Sequence, residues 1–142
     1  MTLAPVSAVV VDTMVVSWLF DERANPLGER YRQIIEPARV ILSFQSVMEL
    51  RFGALRAGWG EFRRRRLERD IAELTVVQPD DRMLSQCAQL RLECQRIGHG
   101  LADRVHDGDR WIGATAIRLG CPLVSHDGIF KNAPGLTLIT RC

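Results

Sequence analysis

The sequence predicts an α/β fold, with a parallel sheet covered by helices on both faces, and two observations predict it. Short β-branched runs recur along the 142 residues, and between them apolar residues recur every three or four positions, the period of a helix with one buried face. Strands that alternate with helices need crossover connections, which set successive strands parallel and lay the helices over the sheet.

In chain order, "SAVVVDT" (residues 7–13) reads as a buried first strand that ends in an acid, and "ARVILSF" (38–44) as the second. A helix follows over 46–57, with Ser46 as its N-cap and Glu49 three residues later at the capping-box position. A further helix over 62–74 turns Leu67, Ile71 and Leu74 inward, and "LTVVQPDD" (74–81) is the third strand. Met83, Cys87, Leu90, Cys94 and Ile97 share one face of the next helix, which Gly98 stops. The last helix spans 109–119 and is closed by Gly120 and Pro122. "CPLVSHD" (121–127) and "LTLIT" (136–140) are the fourth and fifth strands, while "DERANPLGER" (21–30) and "RIGHGLADRVHDGD" (96–109) read as loops. The length is enough for one compact domain over 1–142 and too short to require two.

Composition narrows the class. Charged residues make up 25% and hydrophobic ones 46%, which excludes a disordered or collagen-like chain. No stretch approaches the roughly 20 apolar residues of a membrane span, and the start lacks a signal-peptide pattern, so a soluble cytoplasmic protein is expected. The net charge is only +2, yet Lys131 is the sole lysine among 19 basic residues. The remaining arginines carry planar forks suited to phosphate, which is compatible with a nucleic-acid partner. Cys87 and Cys94 lie seven residues apart on one helix, too far for an unstrained disulfide, and no CxxC spacing points to zinc.

The acids carry the chemistry. Asp12 ends the first strand, Asp127 follows the fourth, and Asp109 begins the helix that feeds the fourth strand. In an open parallel sheet these points share the edge at the strands' carboxyl ends, where ligands bind. Carboxylates gathered there repel one another unless a cation fills the site, and an all-oxygen set favours Mg²⁺ or Mn²⁺ over zinc. Taken singly, Asp109 could be a helix N-cap, Asp127 a turn residue and Glu49 a capping-box partner.

"VVVDT", "SVMELRFGA", "DRWIGATAIRLGCPLVSHDGIF" and "GLTLI", in this order and spacing, resemble the PIN-domain ribonucleases, in particular the VapC-type toxins of bacterial toxin–antitoxin pairs. The resemblance runs from the first strand nearly to the last residue and is strongest between Asp109 and Phe130. It matches Asp12, Glu49, Asp109 and Asp127 to four catalytic, metal-holding acids, and Thr13 and Ser125 to hydroxyls that support them. It implies a PIN-like doubly wound sandwich with five parallel strands in the order 3-2-1-4-5, and a Mg²⁺- or Mn²⁺-dependent endoribonuclease acting on RNA. It further implies a homodimer silenced by a small VapB-like antitoxin. Gly113, Met14 and Gly108 depart from the family's usual residues, and none removes a carboxylate. Glu49 would hold a second ion or position water.

Other features are less specific. Arg110, beside Asp109, is the expected phosphate contact, while the four arginines at 63–66 cannot all face one way on a helix. Asp107 is an extra loop acid. Of His99, His106 and His126, His126 is the one to test. Trp18, Trp59 and Trp111 are expected as packing anchors, and "GALRAGWGEF" (53–62) as a place for dimer or antitoxin contact. A receiver-type signalling domain would need a lysine after its fifth strand, and Lys131 precedes it. A catalytically silent PIN-like module that binds RNA or antitoxin is the alternative reading, against which the four acids stand.

Overall fold

A computed structural model describes residues 7–23 and 25–142. The expectation of no leader at the very start falls partly on residues 1–6, outside that description. Five parallel strands form one sheet: β1 Ala8–Val11, β2 Arg39–Ser43, β3 Thr75–Val77, β4 Leu123–Val124 and β5 Leu138–Ile139, in the order β3-β2-β1-β4-β5. This is the expected order. Among the described residues six α-helices accompany it: α1 Thr13–Phe20, α2 Pro26–Ile35, α3 Phe44–Arg56, α4 Glu61–Ala72, α5 Asp81–Ile97 and α6 Asp107–Leu119.

The strands' two-residue period divides the core into two layers. Val9, Val11, Leu42 and Val124 face one side, with α1, α2, α3 and α4 supplying Val15, Val16, Tyr31, Val47 and Leu67. Val10, Ile41 and Leu123 face the other, against Met83, Leu90 and Cys94 of α5 and Ile112 and Ala116 of α6. In the central strands β1 and β4 and at the end of β2 the apolar run is buried on both faces, as a central parallel strand must be.

Several local expectations change. The first strand, expected to reach Thr13, ends at Val11, and the unassigned stretch that follows is α1, which Asp12 caps by accepting the Thr13 N–H. "DERANPLGER" is not wholly loop: Asn25 accepts from the N–H groups of Leu27 and Gly28, Pro26 opens α2, and the helix runs to Ile35. The N-cap of α3 is Ser43 rather than Ser46, so Glu49 is no capping-box partner. The segment before α6 holds two single 3-10 turns, Gly100–Ala102 and Arg104–His106, and α6 starts two residues before Asp109. On α5, Met83, Leu90 and Cys94 are buried as expected, but Ile97, the helix's last residue, is 62% exposed. Gly98 and Gly120 end their helices in the left-handed conformation at φ 71° and 66°, which a side chain would strain. The four cysteines are free. Among the described residues no helix is long and apolar enough to cross a membrane.

Candidate active site

Parallel pairing puts the carboxyl ends of β1, β2 and β4 on one edge, so Asp12, Ser43 and Ser125 emerge together. Helices α3 and α6 both start at that edge, which brings Glu49 and Asp109 to the same rim. Asp12 is the centre. It is 7% exposed; its Oδ1 accepts the Thr13 N–H at 2.8 Å and its Oδ2 accepts the Ser125 hydroxyl at 2.7 Å. Burial, helped by the charges of Asp109 and Glu49, pushes its pKa up to about 6 against the pull of those two hydrogen bonds.

Each supporting hydroxyl has one proton, which fixes the direction of its bonds. Thr13 Oγ1 donates to Glu49 Oε1 at 2.7 Å, so at 2.8 Å it accepts from Ser46. Gln45 Nε2 donates to Glu49 Oε2 at 3.1 Å. Ser125 Oγ gives its proton to Asp12 and accepts the Asp127 N–H at 3.0 Å. Thr115, fully buried, donates to the Trp111 carbonyl at 2.8 Å and lies 3.2 Å from Ser43 Oγ, tying α6 to the end of β2. A side chain at Gly108 would come within 2.7 Å of Gln45 Nε2 and 3.4 Å of Glu49 Oε2. Glycine there lets the first turn of α6 press on α3 beside Glu49.

Asp109 and Glu49 thus act electrostatically on Asp12. Asp127 joins them through its backbone, while its Oδ1 accepts the Ile129 N–H at 3.0 Å. Among the described residues no three acidic, histidine or cysteine groups form a ready cage for an ion. The donor set nonetheless suits a cation: a buried carboxylate whose charged neighbours are both negative.

Arg110 is the correction. It is 4% exposed, and its guanidinium donates to the carbonyls of Leu101 at 2.6 Å and Asp103 at 2.8 Å and to the Asp107 carboxylate. Three of its five donors are held inside the loop and the residue is buried, so the fork is not open to phosphate, and the extra acid Asp107 is its ion-pair partner. His126 also turns inward, its Nδ1 2.6 Å from the hydroxyl of the fully buried Tyr31, with Trp18 packed edge-on. His106 is the histidine at the acids, its Nδ1 2.8 Å from Asp109 Oδ2. Its place three residues before Asp109, on a helix start, was the available signal. The arginines at 63–66 disperse: Arg63 stacks 4.0 Å over Trp59, Arg65 pairs with Glu61 and Arg66 with Glu22. A groove of about 740 Å³ between α3 and α4, lined by Ala54, Leu55, Phe62 and Leu67 among others, does not include the acids.

Comparison with known proteins places this architecture. The chain is 28% identical over 114 residues to Ribonuclease VapC5 of Mycobacterium tuberculosis, covering 79% of this chain and 82% of that one. It superposes on a VapBC2 structure from Rickettsia felis, bound to a promoter DNA fragment, with a TM-score of 0.76 at 17% identity, covering 94% of this chain and 98% of the other. With VapBC-5 of Mycobacterium tuberculosis the TM-score is 0.69 at 27% identity, over 95% and 99% of the two chains. Residues 9–136 match the family model of the PIN domain, a span that takes in Asp12, Glu49, Asp109 and Asp127 together with the strands and helices that present them. The chain therefore belongs to the PIN-domain family.

Proposed function

We propose that this chain is a VapC-type ribonuclease, the toxin of a toxin–antitoxin pair, and that it hydrolyses RNA phosphodiester bonds with the help of a divalent ion. The observation that carries the reading is Asp12, a buried carboxylate held near neutrality between two further acids at the ligand-binding edge of a parallel sheet. Likeness to Ribonuclease VapC5 and to VapBC complexes supports it.

An all-oxygen donor set fits Mg²⁺ or Mn²⁺. Bound there, such an ion supplies an activated water and stabilises charge on the leaving oxygen. Asp12, Asp109 and Glu49 would hold it, with Asp127 contributing the carboxylate oxygen that Ile129 does not engage. Thr13 and Ser125 do not touch substrate; they hold Glu49 and Asp12 in place, and the Ser125 bond favours the ionised form of Asp12. The partners are RNA, a VapB-like antitoxin and a second copy of the chain. Exposed Met48, Phe52 and Leu55 along α3, continued by Phe62 on α4, support a protein partner on that side. The place of action is the cytoplasm.

The test is end-sequencing of RNA incubated with purified protein. Discrete new ends in Mg²⁺ or Mn²⁺, absent in EDTA, are expected. No new ends under any metal would mean a silent binding module instead.

A further inference from the structure

We infer that His106 is a positioning residue for the metal-binding form of Asp109, an inference that rests on the ribonuclease reading above. His106 Nδ1 lies 2.8 Å from Asp109 Oδ2, with both side chains less than a third exposed, at 29% and 27%. An ionised carboxylate can only accept, so Nδ1 carries the proton and donates. This occupies Oδ2 and leaves Oδ1, the carboxylate's other oxygen, to turn toward the rim shared with Asp12 and Glu49.

Three observations make the imidazole the guide rather than the follower. His106 occupies the N-cap position of α6, yet its side chain makes no capping bond to the helix backbone, so it serves Asp109 instead of the helix. Its backbone is fixed, because the His106 N–H donates to Asp103 O at 3.0 Å and Arg110 grips the carbonyls of Leu101 and Asp103. The loop is pinned again where His99 Nε2 meets the Lys131 carbonyl at 2.8 Å. A donor on a rigid loop sets the rotamer of a carboxylate that repulsion from Asp12 would otherwise push away. A partner of this kind that orients a ligating group commonly contributes about 10-fold in metal affinity.

The experiment is calorimetric titration of Mn²⁺ into metal-free full-length protein, without RNA, for wild type, His106→Ala and His106→Asn. Asparagine can place an N–H close to where the imidazole Nδ1 stands. His106→Ala should bind Mn²⁺ about 10-fold more weakly, and His106→Asn within about 2-fold of wild type. Thermal melts of the metal-free proteins should agree closely, since no helix cap is lost. RNA cleavage by His106→Ala should recover toward wild type at saturating Mn²⁺. Equal Mn²⁺ affinity in wild type and His106→Ala would overturn the inference while leaving the ribonuclease reading intact. Equal weakening in His106→Asn and His106→Ala would overturn the role of the Nδ1 donor. Wild type that binds no Mn²⁺ would overturn the metal reading, and the role of His106 with it.

Discussion

Ser125 Oγ donates a 2.7 Å hydrogen bond to Asp12 Oδ2 across 113 residues of sequence. The same oxygen accepts the Asp127 N–H, so one buried hydroxyl joins the end of β1 to the turn after β4. Of the influences that lower the Asp12 pKa, this bond is the largest.

Ser125→Ala should therefore raise the Asp12 pKa above its value of about 6. It should also cost roughly 1–3 kcal/mol of stability by leaving the Asp127 N–H unpaired. Carbonyl NMR titration of Asp12, with urea unfolding alongside, checks both. An unchanged Asp12 titration would show that the hydroxyl donates elsewhere.

Metal-free stability should fall as pH rises. The folded pKa of Asp12, about 6, lies above the unfolded carboxylate value near 4, so between them the folded state binds more proton than the unfolded state. The slope of unfolding free energy with pH is then negative in that window and flat above it. Between about pH 4.5 and pH 7.5 this group alone removes roughly 2 kcal/mol. Urea melts in EDTA should show wild type losing about that much more than Asp12→Asn across the same window. Equal losses would mean that Asp12 is not desolvated as the structure has it.

Arg110→Ala should destabilise the fold by about 3 kcal/mol, since two loop carbonyls and Asp107 lose their partner. Arg110→Lys should recover little, because an ammonium lacks the planar fork. The salt dependence of RNA binding should not change. A shallower salt slope at full stability would instead restore Arg110 as a phosphate contact.

Thr13→Val keeps the shape and removes the proton given to Glu49. Mn²⁺ affinity or cleavage rate should drop by about 10-fold, and Thr13→Ser should retain both. Equal behaviour of the two variants would show that Glu49 needs no such donor.

How much of this was legible follows from what each residue's neighbours must do. The strands were readable because a parallel sheet covered on both faces demands continuous β-branched runs, as at Val9, Val10 and Val11. Helix α1 was hidden because "TMVVSWLF" has no clean polar face and continues the β-branched run. Helix α2 announced itself only by Asn25 before Pro26, within a stretch otherwise rich in charge. The acids could be placed because topology alone sends strand ends and helix starts to one edge. Arg110 could not, since one residue along a helix turns a side chain by about 100°, from the rim at Asp109 into the loop behind it. Nor could the inward turn of His126, which depends on a tyrosine 95 residues away.

The most direct test is the RNA cleavage rate of wild type and Asp12→Asn, with Mn²⁺ and with EDTA. If Asp12, Asp109 and Glu49 hold the ion that drives hydrolysis, wild type should cleave only with metal, and Asp12→Asn should be slower by at least roughly 100-fold. Wild-type cleavage undiminished in EDTA, or full activity of Asp12→Asn, would contradict the account.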